Sequence, residues 1–216
     1  MNPLRPQFQK VTVYIPAYNV SEFLAPCIES LLSQTLPADE ILVIDDGSQD
    51  NSAEIASRYP QVTLIKHPVN RGLASARNTA VRTARNELVA SLDADCVAAP
   101  SWLAELTRHL KDPALVGVGG KLIEGVQRTT ADRWRAVHMP QHWGDTPIRS
   151  PRFLFGCNLF RESALLAAGP MVRTLTCAYD CARRTGNSCM CLLRTLLTYA
   201  MTQRNPSSIP IGAGPM

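Results

Sequence analysis

The chain has 216 residues, 45% of them apolar and 19% charged, a globular composition that excludes a disordered, collagenous or repetitive chain. Twenty-two Lys and Arg against 18 Asp and Glu leave a net charge of +4, too small an excess for the basic stripe of a nucleic-acid binder. No apolar run reaches about 18 residues and the polar N-terminus lacks a signal-like apolar core, so a cytoplasmic address without a membrane span follows by default.

Residues 11–15 (VTVYI) form a short β-branched run closed by Pro16 and read as a buried strand. Residues 21–33 read as a helix: Ser21 is placed to cap it, and Phe23, Leu24, Cys27, Ile28, Leu31 and Leu32 recur at helical spacing. A turn over residues 35–39 leads to a second buried strand over 40–44 (EILVI), ended by Asp45-Asp46-Gly47-Ser48. Ser48 or Asp50 is placed to cap a helix over 52–58. A third strand is predicted over 62–66, and Asn70-Arg71-Gly72 turns into a helix over 73–85. Residues 88–92 (LVASL) read as a fourth strand, ended by Asp93-Ala94-Asp95, and 100–110 as a helix with Pro100 in its first turn.

Four strand–helix units in succession predict an α/β fold with a mostly parallel sheet and flanking helices. In such sheets ligands bind beyond the carboxyl ends of the strands. Three of those ends here carry polar chemistry: Pro16-Ala17-Tyr18-Asn19, Asp45-Asp46 and Asp93-Ala94-Asp95. Further on the pattern loosens. Strands are predicted over 115–118, 121–123 and 153–160, the last interrupted by Gly156, with helices over 129–139 and 162–168.

Asp93 and Asp95 stand two apart at a strand end, where both carboxylates can converge. Converging carboxylates repel unless a cation lies between them, and hard ions such as Mg²⁺ or Mn²⁺ suit oxygen ligands shared with substrate phosphates. The competing reading is a solvated turn, in which Asp is common. Asp45 and Asp46 are suited to accept hydrogen bonds from a base or ribose, against the same turn alternative. Arg71 and Arg77 near the start of a helix oppose its dipole unless an anion is close, which a phosphate would supply. Tyr18 offers a face for stacking on a base.

His67, His109, His138 and His142 have no ligand-like spacing and read as ordinary surface or core histidines. Cys27, Cys96 and Cys157 read as buried thiols, and the crowded Cys177, Cys181, Cys189 and Cys191 lack the paired spacing of a zinc site. The chain has no nucleophile elbow, P-loop or dinucleotide glycine fingerprint.

The segments VTVYIPAYN, ILVIDDGSQDNS, NRGLASARNTA and LVASLDADC resemble, in order and spacing, the motifs of the family two inverting glycosyltransferases of the GT-A fold. The resemblance covers residues 10–110, a donor-binding half, and continues more thinly over 111–170, a partial acceptor half. It implies a nucleotide-diphosphate-sugar donor and an acceptor hydroxyl on a carbohydrate, lipid or protein, with peripheral contact to a membrane left open. By motif, Pro16, Tyr18 and Asp46 would line the nucleotide pocket with Asp45 beside them. Arg71 and Arg77 would stand on the diphosphate side, and Asp93 and Asp95 would form the D-x-D, with Asp95 the direct ligand of Mg²⁺ or Mn²⁺. Gly156 and Asn158 would belong to the acceptor side. The implied reaction is a single displacement, with a carboxylate base deprotonating the acceptor and the metal stabilising the departing diphosphate. A sugar nucleotidyltransferase is disfavoured, because PAYNVSE is not a glycine-rich basic loop.

The family's base follows a Gly-Pro like Gly169-Pro170, but the next acidic residue here is Asp180 in an unlike setting, so no base is identified. Composition changes at the same point, and residues 171–216 read as an atypical, poorly packed tail. Met171-Val172 must be coded ATG-GTN. A frame two bases later begins with glycine and permits Gly-Ala-Asp-Val-Asp-Leu-Arg, which resembles the family's Gly-Glu-Asp-x-Asp-Leu. A frame-shifted tail would leave a nucleotide-sugar-binding remnant without turnover.

Overall fold

The computed structural model describes residues 10–112, 115–125, 129–142, 156–171, 191–193 and 199–202. Ten strands and six helices are formed among them. The first four units run β1 (Val11–Ala17), α1 (Ser21–Leu32), β2 (Glu40–Asp45), α2 (Ser52–Ser57), β3 (Val62–Lys66), α3 (Leu73–Thr83) and β4 (Leu88–Ser91). They are followed by β5 (Cys96–Ala98), α4 (Trp102–His109), β6 (Leu115–Gly119), β7 (Ile123–Glu124), α5 (Thr130–His138), β8 (Asn158–Arg161) and α6 (Glu162–Ala168). Two short strands close the order, β9 (Cys191–Leu193) and β10 (Tyr199–Thr202).

The main sheet has seven strands in the order β10-β6-β8-β4-β1-β2-β3. The predicted parallel core is present: β1 pairs in parallel with β2 and with β4, and β2 with β3. Strand β8 is antiparallel to both β4 and β6, and β10 is antiparallel to β6. The sheet is therefore mixed, and parallel pairing belongs to the half that strand–helix units build. Strands β5, β9 and β7 form a second, smaller sheet.

Alternation along the strands sorts the core into two layers. Val11, Val13, Ile15, Ile41, Val43, Leu88 and Ala90 face one side, packed in one cluster with Leu24, Ile28 and Leu31 of α1 and Trp102, Leu103 and Leu106 of α4. Tyr14, Leu42, Ile44 and Val89 face the other, with Ala76, Ala80 and Val81 of α3. Both faces are covered, which is why these strands read as continuous apolar runs. Each fully buried Leu, such as Leu24 or Leu42, contributes roughly 2–3 kcal/mol of apolar transfer.

Two expectations about helix starts need correction. Ser21 does not cap α1: the N-cap is Val20, with no side-chain cap of its own. The leading amides are held from the loop after β2 instead. Asn19 donates to Ser48 Oγ, Val20 to Ser52 Oγ and Ser21 to Asp50 Oδ2, each at 3.0 Å. Neither Ser48 nor Asp50 is the N-cap of α2, which is Asn51 without a side-chain cap; Ser48 serves α1, and Asp50, one residue before Asn51, accepts the Ser52 amide at Oδ1 while serving α1 through Oδ2. The strand expected over 153–160 is limited to Asn158–Arg161 among the described residues, because Gly156 and Cys157 bend away; Cys157 takes a positive φ of 64°. Cys27, Cys96 and Cys157 are buried thiols, as the sequence predicts. Cys177, Cys181, Cys189 and Asp180 lie outside the described residues.

Candidate active site

Chain direction reverses about β1: β2 and β3 add on one side, and the chain then crosses to place β4 on the other. Such a switch point leaves a crevice at the carboxyl ends of the two strands. The registers show where it opens. Pairing of β1 with β4 ends at Tyr14 and Ser91, whereas pairing with β2 continues to Ala17 and Asp45. Pro16 lies beyond the last β4 partner, where the missing amide costs no ladder bond.

Around this crevice the predicted residues divide by what they touch. Pro16 is buried in β1, and Tyr18, just past it, is half-buried. The loop bearing Tyr18 is fixed by Asn19, whose φ is 52° and whose Oδ1 accepts the Gln49 amide at 2.8 Å. Asn tolerates that left-handed conformation better than other side chains. Asp45 is 1% exposed; its Oδ1 accepts the Ser48 amide at 3.0 Å, and its Oδ2 is buried without a hydrogen-bond partner among the described residues. A buried acceptor in that condition favours a donor from a ligand.

Asp46 faces the α3 side and accepts from the Arg71 amide at 3.0 and 3.1 Å and from the Gly72 amide at 2.7 Å. His67 Nδ1 lies 2.6 Å from Asp46 Oδ1. Arg71 thus meets Asp46 through its backbone, while its side chain is exposed. Gly47, with φ 74°, lets this loop close over the turn: a Cβ there would lie 2.6 Å from Val69 C and 2.7 Å from Asn70 N.

On the β4 side Arg77 and Asp93 come into direct contact. Arg77 Nη2 donates to Asp93 Oδ1 at 3.1 Å, with side chains 18% and 5% exposed. Arg77 is the fifth residue of α3, so its charge is aimed at the D-x-D rather than at the helix N-terminus. The other face of Asp93 is met by Gly156, where an added Cβ would lie 2.5 Å from Oδ2. Asp95 is half-buried, and the Cys96 thiol approaches its Oδ1 at 3.6 Å. The Cys27 thiol points at the Asp93 carbonyl at 3.6 Å; burial, with Cys157, Asp95 and Asp93 nearby, pushes Cys27 well up and keeps it a neutral thiol. Burial likewise pushes Tyr14 up, against the lowering influence of Arg77. Asn158 starts β8 opposite Gly119, its Oδ1 buried without a partner among the described residues.

The donor set bears on the metal that the D-x-D implies. No group of three or more His, Cys, Asp or Glu capable of holding a metal occurs among the described residues. Two carboxylates, one already paired with Arg77, do not close an all-protein cage. They do fit a hard cation that keeps its remaining positions for phosphate oxygens and water.

Residues that sequence reasoning passed over also serve this edge. His67, an ordinary histidine by its sequence context, is buried against Asp46. Asn78 holds the backbone of Met171 through two hydrogen bonds, Nδ2 to the carbonyl at 2.9 Å and the Met171 amide to Oδ1 at 2.8 Å. The signal for His67 was available only as a spacing of 21 residues from Asp46, which no short motif encodes.

Comparison with known proteins identifies the family and the fold. The chain is 38% identical over 144 residues to the glycosyltransferase EpsJ of Bacillus subtilis (strain 168), covering 65% of this chain and 40% of that protein. It is 38% identical over 133 residues to the glycosyltransferase YibD of Escherichia coli (strain K12), covering 59% and 38%. The chain thus spans about two fifths of these relatives' length. Among solved structures, the mannosyltransferase PcManGT from Pyrobaculum calidifontis, in complex with GDP-Man and Mn²⁺, superposes with a TM-score of 0.58 at 26% identity, over 76% of this chain and 48% of that one. S. aureus TarS 1-349 superposes with a TM-score of 0.66 at 19% identity, over 89% and 60%, which supports the GT-A fold. The family model for glycosyl transferase family 2 matches residues 12–167, and the chain belongs to that family.

Proposed function

We propose that the chain binds a nucleotide-diphosphate sugar at the β1/β4 switch point and serves its transfer, with inversion, to an acceptor hydroxyl. The observation that carries this is the convergence of three strand ends, with Asp45 and Asp46 on one side of Tyr18 and the Arg77–Asp93 pair on the other. Pro16, Tyr18, Asp45 and Asp46 form the nucleoside side, and the unpartnered Asp45 Oδ2 is an acceptor suited to a base or ribose donor. Arg71 and Arg77 stand on the diphosphate side. Mg²⁺ or Mn²⁺, held by Asp95 with Asp93 behind it, would supply the charge that stabilises the departing diphosphate. Arg77 neutralises Asp93 and fixes its orientation, so that the D-x-D is set before a ligand arrives. The complex of PcManGT with GDP-Man and Mn²⁺ supports this assignment.

The acceptor side is Gly156 and Asn158. Gly156 backs onto Leu122, whose Cδ1 would lie 3.4 Å from an added Cβ, and Leu122 belongs to a cavity lined also by Lys121, Glu124, Met139 and His142. That cavity adjoins the D-x-D across one glycine, which is where an acceptor would approach. No helix among the described residues is long and apolar enough to cross a membrane.

A second reading is favoured by the carboxylates themselves. Asp45, Asp46 and Asp95 belong to the donor side, and Asp93, the one of the four beside Gly156, is already paired with Arg77, which leaves it a poor base. A chain whose segment after Pro170 is frame-shifted would bind donor without transfer. Calorimetry with UDP and with GDP, each with and without Mn²⁺, tests binding, and donor hydrolysis in the same samples separates transferase from binder. Failure of both nucleotides to bind with Mn²⁺ refutes the donor site.

A further inference from the structure

The loop that opens α3 has few means of holding itself in place. Gly72 is the N-cap with φ 89°, and α3 has no side-chain cap. Its two leading amides, on Arg71 and Gly72, both go to Asp46. Asp46 is therefore the anchor of the loop, and its own orientation must be fixed by something else.

That something is His67. A carboxylate can only accept, so the proton between them at 2.6 Å belongs to His67 Nδ1, which donates to Asp46 Oδ1. On its other side, Nε2 lies 2.9 Å from Oγ1 of Thr79, well inside α3. The His67 amide is tied back to the Asp45 carbonyl at 2.8 Å. One imidazole, its side chain 5% exposed, thus joins three elements: the end of β2, the residue after β3, and the body of α3. Helix α3 is also the element that aims Arg77 at Asp93.

We infer that His67 is a positioning residue that locks the nucleoside-side carboxylate Asp46 to the helix carrying the diphosphate-side Arg77, and so fixes the spacing between the two halves of the donor pocket. The inference rests on the reading of that pocket as a nucleotide-diphosphate-sugar site. A purely structural histidine would hold the fold together as a whole. This one lies after the edge strand β3, where the strand itself is only partly buried, and its side chain reaches inward to Asp46 at the crevice and to Thr79 on the helix that carries Arg77.

Three variants separate the roles. His67→Ala removes both contacts, His67→Asn keeps a donor at the Nδ1 position, and Thr79→Val removes the α3 contact alone. Two measurements are made on each folded variant: amide hydrogen exchange at Arg71 and Gly72, and calorimetric affinity for UDP and for GDP with Mn²⁺. For His67→Ala, exchange at the Arg71 and Gly72 amides rises about tenfold while the β1 and β2 amides keep their protection. Affinity for whichever nucleotide binds falls about tenfold, His67→Asn recovers most of it, and Thr79→Val loses about threefold. Unchanged loop exchange in His67→Ala overturns the inference. So does loss of protection that spreads evenly over β1 and β2, because that marks a structural role. If neither nucleotide binds the unaltered chain, the exchange data still decide for or against His67, and only the donor reading falls.

Discussion

Replacing Gly156 by alanine probes the D-x-D without touching a charge. The backbone there is outside the left-handed region, so alanine adds no φ strain, and the whole effect is steric. The new Cβ would lie 2.5 Å from Asp93 Oδ2, about 0.9 Å inside ordinary van der Waals contact at 3.4 Å. Asp93 cannot yield freely, because Oδ1 is held by Arg77 at 3.1 Å and the side chain is 5% exposed. A shift of that size would disturb the 3.1 Å contact with Arg77. Overpacking of this kind costs about 1–3 kcal/mol, offset by roughly 0.4–1 kcal/mol from the stiffer unfolded chain. The expected net loss of stability is about 1–2 kcal/mol, seen as a lower Tm. The effect on the site is larger, since constellations of this type tolerate displacements of only about 0.5 Å. Gly156→Ala should weaken Mn²⁺-dependent affinity for UDP or GDP at least about tenfold, measured calorimetrically well below the melting range. A variant with unaltered affinity and unaltered Tm would show that Asp93 is not confined between Arg77 and Gly156, and the geometric basis of the metal assignment would fail.

Gly47→Ala should destabilise the fold by about 1–3 kcal/mol, because φ is 74° and the new Cβ meets Val69 C at 2.6 Å; chemical denaturation measures it, and a change below about 0.5 kcal/mol contradicts the close approach. Asp95→Ala should abolish the difference in nucleotide affinity with and without Mn²⁺ while leaving Tm within a few degrees; a persisting metal effect would exclude Asp95 as the ligand. Asp50 gives a pH test. Burial works against its charge, but hydrogen bonds from Ser52 and Ser21 hold its carboxyl below the ordinary 3.8. A folded value below the unfolded one stabilises fully above pH 3.8 and loses that contribution as pH falls through the lower folded value. Asp50→Asn should therefore cost about 1 kcal/mol near neutrality, with the gap to the unaltered chain closing as the pH falls below 3.8 and through the lowered folded value. Equal stabilities at neutral pH would remove Asp50 from the support of α1.

The parallel core was legible because both faces of β1, β2 and β4 are buried, so each strand is an unbroken apolar run with a polar residue where the sheet ends. The candidate-site carboxylates Asp45, Asp46 and Asp93 drew notice for the same reason: they stand where an apolar run stops while the chain is still buried. What remained hidden depends on distance along the chain. Ser21 looks like a cap in its own sequence, but its amide is satisfied by Asp50, 29 residues on. The antiparallel direction of β8 was hidden because a four-residue strand carries no mark of its own direction; its pairing with β4 and β6 sets it. The three-residue β5 was missed because it is shorter than the window that reveals alternation. His67 was missed because a lone histidine has no pattern; only the fold brings Asp46 and Thr79 to its two nitrogens.

The support of α1 from residues 48–52 also bears on how such chains can be recombined. The first strand and helix look like a portable piece, closed by a turn on either side. They are not, because the amides of Asn19, Val20 and Ser21 depend on Ser48, Ser52 and Asp50. A chimera that exchanges residues 11–33 with a relative, but keeps the native loop after β2, joins donors from one parent to acceptors from another. Where the acceptors differ, α1 begins with uncapped amides beside the crevice that receives Tyr18. A crossover placed after residue 58 keeps donors and acceptors from one parent, and the smallest exchangeable unit of this fold is two strands with two helices.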